Sequence, residues 1–271
     1  MKALTQLAVK SPVTDENSSF FFTFHKCASV LFSHYVLRQA RGFKHIDLSG
    51  RKLVGADALH EEFSLRGHLY GPLRLSASGE VLERLIKPAL DTVIHNHLPA
   101  CLMIRDPRDM LVSQFFHNRD GTPVKPQLDA IEFGIDDYVI KNTGRFLAGF
   151  NRAVQLLADH PATQVLRYED MVDDWNIFKD GLSKVFDLCP DSIRYIEKKS
   201  RPNPVERPGE HKRSGATGSY RSKLSPETTA ILTEQFYPFL KKFGYLSGYG
   251  SNVESCTITK DIGCFRQRAR E

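Results

Sequence analysis

Residues 20–32 read FFFTFHKCASVLF: an apolar run of strand length, a polar bend carrying His25 and Lys26, and an apolar stretch that resumes with helical spacing. A strand feeding a helix this abruptly is the unit of parallel α/β sheets, and the turn between them lies at the carboxyl edge, where the helix N–H groups face outward. The bend holds one lysine and no glycine. It is therefore not a Walker A loop, which needs G-x-x-x-x-G-K-[ST] to wrap a triphosphate. It can still cradle one phosphate on its turn amides, with Lys26 as a point charge and the Ser29 hydroxyl as a further donor. Taken alone, the stretch is explained equally well as an ordinary turn with a surface lysine.

Working outward, strand-length apolar runs fall at 19–24, 62–70, 100–105 and 164–168. They alternate with segments of helical period at 29–40, 80–95, 107–117, 136–159, 170–187 and 226–243. This alternation predicts an α/β fold, one domain with a central, mostly parallel sheet flanked by helices. The domain is expected over 19–250, with 1–18 and 251–271 as terminal extensions; 271 residues suffice for one large core. Pro88 predicts a kink or break in its helix. Residues 201–223, RPNPVERPGEHKRSGATGSYRSK, predict a long loop, and long loops in compact domains are usually functional or disordered.

The chain has 37 Lys and Arg against 32 Asp and Glu, a formal charge of +5. Its cations gather at short loops, Arg105 with Arg108 and then Arg201, Arg207, Lys212, Arg213, Arg221 and Lys223, without the aromatic-interleaved stripe of a nucleic-acid binder. The expected partner is a small polyanion, with no nucleic acid and no membrane. Five cysteines, at 27, 101, 189, 256 and 264, include no C-x-x-C pair. That argues against a disulfide framework or a zinc site and predicts a cytoplasmic protein. No clustered His, Cys and carboxylate set has metal spacing, so no metal is expected. No apolar run approaches the roughly 18 residues of a membrane span, and no secretory leader pattern opens the chain.

A second strand-to-helix junction, IRDPRDMLVS (104–113), carries a cation at the same structural place. Asp106 suits an N-cap and Pro107 the first helical position. Ser113, seven residues after Asp106, falls near the same helix face about 10 Å along the axis. Arg105 and Ser113 can thus address one anion. The plainer reading of these residues alone is a capped helix with an incidental ion pair.

In order along the chain, KCAS after one strand, RDPRDMLVS after another, LRYEDM after a third and HKRSGATGSYR in the late loop resemble the signature segments of the PAPS-dependent sulfotransferases. The resemblance implies a P-loop-like sulfotransferase architecture. It further implies transfer of a sulfuryl group from PAPS to a hydroxyl, less readily an amine, of a small organic acceptor such as a natural product or metabolite. Adenosine 3′,5′-bisphosphate would be left, and no metal is required. It assigns Lys26 to the bridging oxygen of the phosphosulfate, and Cys27, Ala28 and Ser29 to the phosphate cradle. Arg105 and Ser113 go to the 3′-phosphate, joined by Arg213, Ser214 and Gly215 of the late loop, and Tyr168 goes beside the adenine. The sequence departs from the family pattern at His25 (usually proline), Val30 (threonine), Leu31 (tryptophan), Ser214 (lysine) and Tyr220 (tryptophan).

The family also carries a histidine base ahead of its arginine segment, often in K-x-H-L-P. HNHLP (95–99) looks like that stretch. If 100–105 is a parallel strand ending at the cofactor, however, His97 lies about 26 Å from Arg105, at roughly 3.3 Å per residue. His68, read as terminating the 62–70 strand before a Gly-Pro turn, is expected at the catalytic edge and is the favoured base, ahead of His25 and His97. Asp106 and Glu169 are read as cap and supporting residues, and Asp109 as a solvated or paired helix residue. Two other functions fit the sheet: a P-loop-type nucleotide phosphotransferase, and a non-catalytic anion or nucleic-acid binding module. Acceptor selectivity is expected to reside in 41–80, 118–145 and 201–220.

Overall fold

Five parallel strands form one sheet in the order β2-β3-β1-β4-β5, in a computed structural model that describes residues 15–49, 63–120, 128–203, 205–206 and 215–246. The central strand, β1 (Ser19–Thr23), is buried at every position. Parallel strands covered on both faces need apolar side chains on both, which is why SFFFT does not alternate. β4 (Ala100–Ile104) and β5 (Thr163–Arg167) fall within a residue of the runs expected for them.

The third expected strand differs. β3 spans His68–Arg74 rather than 62–70, and β2 (Lys44–Asp47), which no periodicity announced, pairs beside it. Gly71 and Pro72 lie inside β3, not in a turn beyond it. The register with β1 passes from Phe20↔Tyr70 to Phe22↔Leu73, so β3 carries one extra residue there. A bulge is where an inner strand tolerates a proline, which has no N–H for the ladder. Gly71 sits at φ 151°, and a Cβ on it would stand 2.9 Å from the Phe21 carbonyl oxygen.

The helices pack on both faces. α1 covers residues 29–37, its Phe32–Leu37 part wound as a π-helix, and α2 covers 79–95. The break expected at Pro88 is absent. Instead the turn before it, Leu82–Ile86, is π-wound, which accommodates the missing N–H and the ring. α3 (Pro107–Asp120) follows β4, and after the short α4 (Leu128–Glu132) comes α5, residues 135–157. The helix expected over 170–187 is two, α6 (Tyr168–Asp173) and α7 (Trp175–Ser183), because Asp174 leaves helical geometry and caps the second by accepting from Ile177 N–H. α8 (Pro190–Ser200) and α9 (Tyr220–Lys223) were not foreseen. α10 (Pro226–Gln235) and α11 (Tyr237–Lys242) share the last expected helical segment. Among the described residues no helix is long and apolar enough to cross a membrane.

An aromatic cluster fixes the carboxyl end of β1. Phe24 stacks on Phe150 of α5 at 4.1 Å between centroids, and Phe239 of α11 closes on Phe150 at 4.4 Å. Beside it, Gly149 of α5 lies against the Leu75 backbone after β3, where a Cβ would come 2.6 Å from the carbonyl oxygen. Gly144, in the same helix, has open space around it. The two glycines should respond to alanine in opposite senses. Gly144→Ala is expected to stabilise by about 0.5–1 kcal/mol, the ordinary helix gain. Gly149→Ala is expected to destabilise by about 1–3 kcal/mol, since backbone must move. Urea midpoints measure both, and equal shifts would refute the close approach.

Candidate active site

The first junction bends through two non-glycine residues in the left-handed region, Lys26 at φ 64° and Ala28 at φ 55°. Each costs about 1–2 kcal/mol for an L-residue. Cys27 between them is fully buried, and the Lys26 carbonyl accepts from Arg105 Nη1 at 3.0 Å, so packing and a charge-assisted bond hold the bend. Ser29 opens α1, with its hydroxyl 3.5 Å from Arg74 Nη2.

Arg105 follows β4 at the second junction and is 5% exposed. Its Nη2 donates to the Ala216 carbonyl at 3.2 Å, and its guanidinium lies over the Tyr168 ring at 4.2 Å. Its Nε is buried without a hydrogen-bond partner among the described residues. Tyr168, opening α6 after β5, donates through its hydroxyl to the Gly215 carbonyl at 2.8 Å. Lys26, Arg105, Tyr168 and Gly215, which stand far apart in sequence, are thus brought to one sheet edge. Ser113 is half-buried on α3. Arg213 and Ser214 lie outside the described residues.

Asp106 is the expected N-cap, its Oδ1 accepting from Arg108 N–H at 2.9 Å. The same carboxylate pairs with the fully buried Arg108 guanidinium, which also reaches Thr233 and the Tyr245 carbonyl and lies 4.3 Å from the Tyr220 ring. Glu169 supports the junction from α6: Oε1 accepts from Asp106 N–H at 2.9 Å and Oε2 from the Tyr245 hydroxyl at 2.7 Å. Asp109 is not solvated. It is 1% exposed and accepts from Gly218 N–H, Ser219 Oγ and Tyr220 N–H.

His68 is not brought to this edge. It is the first residue of β3, pairs with Lys44 at the start of β2, and sets Nδ1 2.7 Å from the Arg66 carbonyl oxygen. The strand runs on to Arg74, opposite Thr23, which puts His68 about 20 Å from that end at roughly 3.3 Å per residue. The expectation failed because Gly71-Pro72 reads as a turn and ends the strand too early. His97 also stands at the amino edge, before β4 and 6.0 Å from the His160 ring. His25 is the histidine beside Lys26. Burial first, and then Arg74, Arg145, Lys26 and His117, push its pKa down to about 3. Sequence reasoning missed Arg74 as an edge residue; extending the apolar strand through Gly71-Pro72 would have found it.

Electrostatics divide the site. Burial and then Arg105 lower Lys26 to about 8, while burial pushes the Cys27 thiol up to about 12 and leaves it neutral. Burial raises Glu169 and Asp109, opposed in each by the bonds their carboxylates accept and by Arg105. Among the described residues no group of His, Cys, Asp and Glu is placed to hold a metal ion. The edge therefore offers concentrated positive charge and unspent donors, an arrangement suited to a polyanion with more than one phosphate.

Solved structures share the fold. Mouse sulfotransferase SULT7A1 complexed with PAP aligns at TM-score 0.53 and 16% identity, over 84% of this chain and 86% of that one. Retinol dehydratase in complex with androsterone and inactive cofactor PAP aligns at 0.52 and 14%, over 86% and 82%. No protein-family model and no curated relative matches the sequence. At these identities the likeness is one of architecture: the chain has the PAPS-dependent sulfotransferase fold, a single α/β domain as its periodicity indicated.

An anion held at the first junction will raise the Lys26 pKa from its free value of about 8. At pH 7 the ammonium is already charged, so binding takes up no proton. Above about 8 the free protein has lost that proton and must regain it, so affinity falls with rising pH. Calorimetric titration with adenosine 3′,5′-bisphosphate should show weaker binding and net proton uptake at pH 9 relative to pH 7, and Lys26→Met should flatten both. A wild-type affinity independent of pH across this range would contradict the placement.

Proposed function

We propose that the protein is a sulfotransferase that moves a sulfuryl group from PAPS to a hydroxyl, less readily an amine, of a small organic acceptor in the cytoplasm. The observation that carries this reading is the convergence of Lys26, Arg105, Tyr168 and Gly215 at one edge of a sheet with the sulfotransferase fold. The free thiols of Cys27, Cys101 and Cys189 agree with a reducing compartment.

In this reading the turn at Cys27, Ala28 and Ser29 would hold the 5′-phosphate, and Lys26 would supply positive charge to the bridging oxygen of the phosphosulfate. Sulfuryl transfer leaves negative charge on that oxygen, so a cation placed there in advance acts mainly on the transition state. Arg105, with its buried unspent Nε, takes the 3′-phosphate together with Ser113 and the late loop, Arg213 and Ser214 included, while Tyr168 faces the adenine. PAPS, when bound, supplies the sulfuryl group, and no metal enters.

The base passes from His68 to His25. With a pKa of about 3 in the free protein, His25 is neutral throughout the physiological range and has a nitrogen ready to accept the acceptor's proton. The phosphates of the cofactor counter the cations that depress it and so strengthen it as a base once the site is loaded.

Labelled PAPS, a broad panel of phenols, alcohols and amines, and three variants test the assignment. Lys26→Ala is expected to lose about 10²–10³-fold in turnover, and His25→Ala about 10²–10⁴-fold. His68→Ala should stay near wild type, and the profile of kcat/KM for PAPS, which reports the free protein, should show no acid limb from pH 5 to 8. Loss in His68→Ala with full activity in His25→Ala would reverse the assignment. Magnesium-dependent ATP binding without preference for the bisphosphate would favour a nucleotide phosphotransferase instead.

A further inference from the structure

Asp109 takes no part in the reaction just described, yet it is one of the most deeply buried carboxylates, at 1% exposure. Desolvating a carboxylate is costly unless donors replace its water. Here three do: Gly218 N–H at 2.5 Å, Tyr220 N–H at 2.9 Å and Ser219 Oγ at 3.0 Å. All three belong to the outgoing end of segment 215–220. The ingoing end of the same segment offers the Gly215 carbonyl to Tyr168 and the Ala216 carbonyl to Arg105. Between them the Thr217 hydroxyl donates to Asp173 Oδ2 at 2.9 Å. The segment is therefore pinned twice to the same junction, by Arg105 just before α3 and by Asp109 in its first turn. Arg105 is in turn nine-tenths buried, with an Nε that no described residue satisfies.

We propose that Asp109 is a positioning residue of the nucleotide site: by clamping the 218–220 turn it holds Gly215 and Ala216 against Tyr168 and Arg105, and so fixes the Arg105 guanidinium toward the 3′-phosphate of a 3′-phosphorylated adenine nucleotide. This rests on the reading of the Arg105 junction as the 3′-phosphate site. The 5′-phosphate turn at Lys26–Ser29 belongs to a different element and meets the clamped segment only through Arg105, whose Nη1 donates to the Lys26 carbonyl at 3.0 Å. Asp109 thus bears on the 3′-phosphate through the segment it clamps, and on the 5′-phosphate turn only at second hand, through Arg105. An asparagine in its place keeps the size but replaces one acceptor oxygen by a donor that faces N–H groups, which releases the turn.

The test is a ratio. Isothermal titration of the full chain with adenosine 3′,5′-bisphosphate and with adenosine 5′-monophosphate gives the preference that the 3′-phosphate confers. In Asp109→Asn the bisphosphate affinity is expected to fall about 10–100-fold while the monophosphate changes by less than about twofold, so the preference collapses. Ser219→Ala removes a single bond from the clamp and should lower the same ratio by about threefold, and it decides the matter if the asparagine variant does not fold. A proportional loss for both nucleotides, or a preference kept at its wild-type value, would overturn the role of Asp109 and leave the sulfotransferase reading in place. A wild-type protein that binds both nucleotides equally would remove the 3′-phosphate site, and the inference with it.

Discussion

The guanidinium of Arg105 is the point on which the candidate site turns. It is buried, and no carboxylate of the described residues pairs with it within ion-pair distance. Its partners are two carbonyl oxygens, from Lys26 and Ala216, and the face of Tyr168. A buried cation without a matched anion is expensive, several kcal/mol even after relaxation. Carbonyl dipoles and a ring recover part of that cost, and Asp109 and Glu169 act on it from a greater distance. On the proposed reading an anion bound beside Arg105 would offset the rest. The same two carbonyl contacts tie together three segments otherwise far apart, the bend after β1, the start of α3 and the late loop. The group proposed to meet the 3′-phosphate is thus also the brace of the site.

The absence of glycine from the first bend takes on a physical meaning beside this brace. A glycine loop reaches left-handed geometry at little steric cost and wraps whatever phosphate enters. Here Lys26 and Ala28 adopt it against their preference, which requires the surroundings to over-determine them. Cys27 is packed to full burial, Phe24 is stacked on Phe150, and Arg105 grips the Lys26 carbonyl. The result is a bend whose shape is set by its own packing, which on the proposed reading suits one phosphate and its substituent.

The sheet and its helices were legible wherever burial was uniform. SFFFT and ACLMI announce themselves because parallel strands covered on both faces must be apolar throughout. KHID of β2 does not, since it is a four-residue edge strand with exposed ends and little to bury. HLYGPLR misleads for a different reason: Gly71-Pro72 has the local chemistry of a turn, and only the pairing of its flanks with Phe20 and Phe22 of β1 makes it a bulge lying against Phe21. That one misreading moved the base, because ending β3 at Tyr70 carries His68 from the amino edge to the carboxyl edge. Lys26 and Arg105 were found because strand-to-helix junctions show in local sequence. Asp109 was not, because its partners at 218–220 come a hundred residues later and no periodicity relates them.

The change of histidine also alters how the proposed chemistry is controlled. His68 stands at the opposite edge of the sheet, far from the cations of the site. His25 shares its surroundings with Lys26 and Arg74, and the charges that depress it are those a polyphosphorylated ligand would neutralise. Proton affinity at His25 and anion affinity at Lys26 are then linked, each rising with the other, as any pair of sites joined by Coulomb interaction must be. On the proposed reading the cofactor's phosphates offset the part of the depression that comes from neighbouring cations, while burial, its largest cause, remains.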